Sequence, residues 1–572
     1  MSVLDKIKKE IIERVNKALG SEAVRQDNFV YPPDSQMGDL SLPCFDLAVE
    51  LKKNPAEVAS NLACVIKKDD IISSVGSVGP YFNIFVNREY LMEEVLKEIK
   101  NKKNKYGHSK SKQGKRVVVE YGQPNPFKAF HVGHLRNIIL GESLVRIFEA
   151  QGAKVIRVNY QGDVGMHIAK CLWAFQKIKK EDYPKTADKK VALLGKCYAD
   201  GAAVFENEKE QEEIKKINKK IYDKSDKEIN KLWETGKAWS LEKFYEIYAR
   251  VYSHFDREYM ESEIIGDCMK YIKEARERKI LEDSNGAVIF NGEKYGLDSR
   301  VFLNSEGLPT YEGKELGLAH KEFTDFGKID LCIHNVAVEQ ISFFKVTFKV
   351  EELLNEKMFR GKQYHNAYEF VGLKKGKMSS RQGNVLLGND ILNEARDKIK
   401  DLIKDKIEIG DQEVAAEAIG VGAVKYAFLK MSPLKYLAFD MEESVRMEGN
   451  SGPYIQYSYV RIQSILKKSG FKVNIFKKIK LDELKNEKEY ELAFHLARFP
   501  EITAMAGKNY DPSEIVKYLF DLCRAFNDYY HVVPVLKAEE DLTRARLVLL
   551  RGVAQVIKNG LDLLGIKTVE RM

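Results

Sequence analysis

The sequence predicts an α/β domain carrying an inserted helical segment, preceded by a small α+β domain and followed by an all-α bundle. Three observations carry that prediction. At 572 residues the chain is too long for one hydrophobic core and should divide into roughly three or four domains. A β-branched run at 117–121 (VVVEY), a helical stretch ending at Gly152 and a second run at 154–160 (KVIRVNY) form a strand–helix–strand unit. From about residue 410 to the end apolar residues recur almost wholly at helical spacing.

Taken in order, the first hundred or so residues alternate helical stretches (VLDKIKKEIIERVNKAL, PAEVASNLACVIKK) with a short β-like run, PYFNIFVN. The polar, Lys-rich stretch NKKNKYGHSKSKQGK at 101–115 reads as a linker. The expected domains are therefore 1–105, 106–408 with an insertion at about 165–290, and 409–572. Within the insertion, Ile214, Ile217 and Ile221 stand at helical spacing among charges over 205–235, the pattern of a solvated surface hairpin of helices. Short strands return at GAVIF, RVFL, KIDLCIHNVAV and YHNAYEFVGL.

With 44% hydrophobic and 31% charged residues the composition is that of an ordinary globular protein. No apolar run is long enough to span a bilayer, and the acid-containing amphipathic start reads neither as a secretory signal nor as a transit peptide. Seven cysteines lie far apart and never form C-x-x-C. That argues for reduced thiols, a cytoplasmic location and no structural zinc. The net charge of +8 permits a polyanionic partner without demanding one.

The chemistry concentrates at KAFHVGHLRN, residues 128–137, between the first strand and its helix. In open parallel sheets this turn lies at the carboxyl ends of the strands, where ligands bind. A helix N-terminus there offers free N–H groups and a positive dipole end to phosphate. Gly133 allows close backbone approach, and His131 and His134 can donate ring N–H bonds to the charge of a transition state. Zinc is the weaker reading, because His108 and His167 have no ligand spacing to the pair. A second motif, KKGKMSSRQGN at 374–384, offers Lys377 as a point charge for pyrophosphate, with Met378, Ser379 and Ser380 beside it.

An H-x-G-H early, a K-M-S-S late and a helical C-terminal run resemble the class I aminoacyl-tRNA synthetases, whose two signatures bracket a Rossmann-like ATP site. The order E-x-x-x-P-N, HVGHLRN, VIRVNYQGDVG, FDREYMESE, then VKYAFLKMSPLKYLAFDMEESVRMEGNSGPYIQY narrows the resemblance to the arginyl members over nearly the whole chain. The resemblance implies a Rossmann-like catalytic domain that activates L-arginine with ATP and Mg²⁺, transfers it to the 3′ end of tRNA(Arg), and acts as a monomer.

By the same resemblance, His131, Gly133, His134, Lys377, Met378, Ser379 and Ser380 meet ATP, and Lys128 joins Lys377 on the pyrophosphate. Arginine lies against Gln123, Pro124, Asn125, His134, Tyr311 and Glu315, with Glu120 facing the guanidinium. On residues alone Glu120 reads as a strand-end surface residue. Tyr81, Asn83 and Phe85 are expected at the tRNA elbow, and Tyr454, Tyr457 and Arg461 at the anticodon arm, where tyrosines can stack on bases; by count alone most of the tyrosines are packing residues. The chain departs from the family pattern at Gln123 (usually Ser), at Glu315 (usually Asp) and at Lys345, where a Gln is often found. Two rivals remain: a class I synthetase for another amino acid, and a non-catalytic tRNA-binding paralogue.

Overall fold

The computed structural model describes residues 1–374, 386–404, 409–470 and 479–572. It forms two compact units that do not follow chain order. One combines Met1–Ser109, Ile455–Met505 and Lys517–Leu561; the other combines Lys110–Tyr454, Ala506–Val516 and Asp562–Met572.

In the first unit, a helix over Val3–Leu19 and a three-stranded antiparallel sheet pack with C-terminal helices. The amphipathic pattern read at the N-terminus buries Val3, Leu4, Ile7, Ile11 and Val15. Tyr106, in the stretch read as a linker, is fully buried and donates its hydroxyl to Leu496 O at 2.8 Å. Lys8 pairs with Glu501 at 2.8 Å. The segment between the strand-rich start and the βαβ unit is thus partly core, which its polar composition hides.

The second unit is built on five parallel strands: β1 (Arg116–Glu120), β2 (Lys154–Gln161), β3 (Arg257–Met260), β4 (Leu331–Ala337) and β5 (Gln363–Tyr368). Their spatial order is β3-β2-β1-β4-β5, and every pair is parallel. Helix α1 (Val132–Ala150) joins β1 to β2, α2 (Tyr311–Asp325) precedes β4, and α3 (Ile341–Leu354) links β4 to β5. The order reverses between β1 and β4, the switch point at which such sheets bind ligands beyond their carboxyl ends. Val117, Val118 and Val119 are buried on both faces of β1, as a central parallel strand requires.

The segment expected to be a solvated hairpin is helical (Glu208–Asp223 and Lys227–Arg250), yet it is less peripheral than its charges suggest. Ile214, Ile217 and Ile221 are buried in one cluster with Trp233 and with Phe127 from the turn after β1. Gly236 makes that approach possible, since a Cβ there would meet the Phe127 ring at 2.2 Å. No helix among the described residues is long and apolar enough to cross a membrane.

Candidate active site

β1 ends on Glu120, and the chain then turns through Gly122, Gln123, Pro124 and Asn125 before α1. Gly122 (φ 96°) and Gln123 (φ 54°) both adopt left-handed backbone, which costs a side-chain-bearing residue about 1–3 kcal/mol and needs support from its surroundings. Gln123 receives it. Its N–H donates to Asn159 Oδ1 at 2.9 Å, its amide NH₂ donates to Glu120 Oε1, and its Oε1 accepts from Asn137 at 3.2 Å. Asn137 also donates to Asn335 O at 2.9 Å and Asn366 donates to Asn335 Oδ1 at 2.8 Å. This buried asparagine chain ties the turn to β4 and β5. Asn125 Oδ1 accepts the Gly162 N–H at 2.9 Å, and Pro124 is buried.

His131 caps α1. Its Nδ1 accepts the Gly133 N–H at 3.1 Å, while His134 Nδ1 accepts the His131 N–H at 3.3 Å. A Cβ on residue 133 would press on the His131 ring at 3.0 Å, so glycine serves ring placement as well as ligand approach. The rings stack with centroids 3.7 Å apart. Burial and then the nearby Lys128 charge hold His131 below the ordinary imidazole range, and burial, His131 and Lys128 hold His134 well below it. Both rings are therefore neutral at pH 7, with Nδ1 accepting and Nε2–H left to donate. Lys128 itself is exposed.

The turn opens on a cavity of about 850 Å³ that Glu120, Gln123, Asn125, His131, Gly133, His134, Tyr311 and Glu315 all line. Leu373 and Leu386 line it too, and Leu386 O accepts the Val132 N–H at 2.8 Å. The K-M-S-S segment runs between those two leucines; Lys377, Met378, Ser379 and Ser380 lie outside the described residues. Tyr311 stands at the mouth, 74% exposed. Lys345 lines a separate cavity of about 490 Å³, whereas Gln340, just past β4, lines the main one. Lys345 is therefore placed outside the main cavity, and Gln340 is the glutamine among the described residues just past β4 that borders it.

Glu120 and Glu315 form the dry floor, 2% and 5% exposed. Glu120 is thus no surface residue. Between them lies His334, which the sequence reading missed. Its Nδ1 is 2.8 Å from Glu120 Oε2 and 3.7 Å from Glu315 Oε1, and its Nε2 is 3.0 Å from Gln363 Oε1. Gln363 in turn donates to Glu351 Oε2 at 2.7 Å, and Glu322 Oε2 accepts from Cys332 Sγ at 3.5 Å. Burial raises the Glu315 carboxyl well above its ordinary range, against the pull of His334, and raises Glu322 to about 8 and Glu351 to about 7. The donor atoms of Glu120, Glu315 and His334 lie within 4.8 Å of one another. A metal would need the His334 Nδ1 lone pair, and that nitrogen is already bridged by hydrogen to Glu120, so the cluster suits an organic cation better than a metal ion.

The residues expected on tRNA are distributed unevenly. Tyr81 is exposed on the strand Tyr81–Val86 and Phe85 is half-buried, but Asn83 is buried and its Oδ1 accepts from Ser41 Oγ at 2.6 Å. Asn83 braces the sheet and has no free face. Tyr454, Tyr457 and Arg461 lie half-buried on the helix Gly452–Lys468. There Arg461 donates to the Tyr457 hydroxyl at 3.0 Å and to Asn527 Oδ1 at 3.0 Å.

Residues 95–441 match the family model for tRNA synthetases class I (R), catalytic domain; 455–572 match the DALR anticodon binding domain, and 5–86 the arginyl tRNA synthetase N terminal domain. The chain is 34% identical to the arginine–tRNA ligase of Clostridium perfringens, covering 99% of this chain and 100% of that one. It is 35% identical to the arginine–tRNA ligase of Treponema denticola, covering 96% and 95%. The arginyl-tRNA synthetase structure of Thermus thermophilus superposes with a TM-score of 0.82 at 25% identity, covering 99% of this chain and 100% of that one. A switch-point cavity with a neutral histidine pair at one side and buried carboxylates at the other, in a chain that matches these relatives end to end, establishes that it belongs to the arginyl-tRNA synthetase family of class I.

Proposed function

We propose that this chain is an arginine–tRNA ligase, which activates L-arginine with ATP and esterifies it to the 3′ end of tRNA(Arg). The observation that carries the reading is the pair Glu120 and Glu315, buried at the floor of the cavity that His131 and His134 line. A guanidinium is a planar fork whose N–H groups suit two carboxylates. Seated there, arginine directs its own carboxylate towards the α-phosphorus of ATP, and pyrophosphate leaves.

The protein's part is positioning and charge stabilisation. His131 and His134 donate Nε2–H bonds to phosphoryl oxygens, and Lys128 and Lys377 share the pyrophosphate. Met378, Ser379 and Ser380 border the nucleotide. Gln123, Pro124 and Asn125 back the amino acid, Tyr311 closes the mouth, and Gln340 takes the α-amino group. Imidazole and ammonium groups partner phosphate oxygens, not cations, so Mg²⁺ would come with the nucleotide and offset part of its charge. The segments near 1–105 and 409–572 hold the tRNA through Tyr81 and Phe85 and through Tyr454, Tyr457 and Arg461. The enzyme works as a cytoplasmic monomer. Arginine-dependent exchange of pyrophosphate into ATP, with tRNA(Arg) present, is the expected activity. Exchange with another amino acid, or none at all, would overturn the reading.

A further inference from the structure

The hydrogen bonds around His334 determine where its protons are. Gln363 donates its NH₂ to Glu351 Oε2, so its Oε1 faces His334 Nε2 and must accept from it. The other nitrogen, Nδ1, faces a carboxylate oxygen of Glu120 at 2.8 Å and must donate as well. An imidazole that donates from both nitrogens is an imidazolium. The reverse Gln363 orientation would require a protonated Glu351 and would leave the acidic floor without a resident cation. Glu120 is paired with His334 and with Gln123, whereas Glu315 Oε1 is buried with no hydrogen-bond partner. It is also the second carboxyl of the cluster that lines the cavity.

We propose that His334 is a permanently protonated counter-cation beneath the arginine pocket, a positioning residue that holds Glu120 while Glu315 gives up one proton each time a guanidinium binds. This deepens the reading of Glu120 and Glu315 as the arginine clamp and rests on it. Counted over His334, Glu120 and Glu315, charge is conserved in the exchange: empty, the three hold one imidazolium against one carboxylate, and filled, they and the ligand hold imidazolium and guanidinium against two. The Glu315 O–H bond breaks, its electron pair stays on the carboxylate, and the proton passes to solvent.

The groups around Glu315 favour this balance. Glu120 and Tyr160 stand on β1 and β2, His334 and Cys332 on β4, Glu351 on α3 and Glu322 on α2 itself. An uncompensated carboxylate in this dry space is costly, so Glu315, which His334 approaches only to 3.7 Å and whose Oε1 has no hydrogen bond, stays protonated until a cation arrives. Burial opposes the charge on His334, yet its pKa is raised well above the ordinary range, and the hydrogen-bonded Glu120 carboxylate is a group that raises it.

Calorimetric titration of the full-length enzyme with L-arginine, in buffers of low and high ionisation heat at pH 7, counts the protons released. Wild type should release one per arginine, and arginine affinity should rise about tenfold per pH unit until Glu315 ionises unaided. In Glu315→Gln the release should fall to zero while ATP binding persists. In His334→Gln the pH at which affinity levels off should move upward, because the inner cation no longer draws the Glu315 proton off. Arginine binding whose heat does not depend on the buffer would overturn the linkage and leave the clamp standing. A His334→Gln pH profile superimposable on wild type would overturn the counter-cation role, and absence of arginine binding to the wild-type enzyme would overturn the clamp and the linkage together.

Discussion

Glu120 and His334 occupy the same register on neighbouring parallel strands, with His334 Nδ1 2.8 Å from Glu120 Oε2. One carboxylate therefore has a fixed inner partner and an outer edge towards the cavity. Removing one member of a buried charge pair costs about 3–5 kcal/mol, or roughly 10²–10⁴ in kcat/KM. Glu120→Gln and Glu315→Gln, both nearly isosteric, are each expected to lose arginine kcat/KM in that range and to spare ATP binding. Steady-state kinetics with each substrate varied separately checks this. Near-normal arginine kinetics in Glu315→Gln would remove that residue from the clamp, and the same result in Glu120→Gln would remove the clamp.

Lys128 and Lys377 test whether pyrophosphate is shared. If either ammonium can serve when the other is lost, Lys128→Ala and Lys377→Ala each cost little and the double variant costs far more than their sum in log kcat. Strictly additive losses would mean separate duties.

Local period made much of this fold legible. VVVEY, KVIRVNY and the C-terminal helices announce themselves by spacing, and the H-x-G-H announces a helix start. What stayed hidden is non-local. His334 meets Glu120 across 214 positions, and a histidine inside an apolar strand carries no mark of the carboxyl it faces. The strand Arg257–Met260 (REYM) is too short and polar to show a strand pattern. Phe127 gave no hint that it would anchor the inserted helices, because its partner Gly236 lies more than a hundred residues away.

Tyr81, exposed, and Asn83, buried, stand on a single strand and allow the proposed tRNA contact to be tested apart from support of the sheet. Tyr81→Ala should raise the KM for tRNA with little effect on the arginine KM, and tRNA affinity should fall steeply between about 50 and 200 mM salt, as phosphate contacts require. Asn83→Ala should act through stability, because it strands the buried Ser41 hydroxyl at a cost of about 1–3 kcal/mol. Aminoacylation at several tRNA concentrations beside thermal melts distinguishes the two. A raised tRNA KM in Asn83→Ala without a lower Tm would mean that Asn83 reaches the RNA after all.

Lys425 offers a test by pH far from the clamp. It is wholly buried, and its Nζ donates to Val251 O at 2.7 Å and to Gly565 O at 2.6 Å. Burial first, and Arg146 next, push its pKa down to about 7, against the pull of Glu142 and Asp562. A neutral amine has two N–H groups, enough for these two carbonyls. The unfolded chain keeps the lysine proton up to about pH 10.4, so between about 7 and 10 the unfolded state binds more protons than the folded one. Stability from this group should therefore rise with pH there, by up to about 1.4 kcal/mol per unit, and be flat below the folded pKa. Lys425→Met keeps the bulk, strands the two carbonyls and abolishes the titration. The Tm gap between wild type and Lys425→Met, measured at one scan rate from pH 6 to 9, should be smallest at pH 6 and widen steadily above 7. A gap constant across that range would mean that Lys425 stays charged in the folded protein and is neutralised by Glu142 instead.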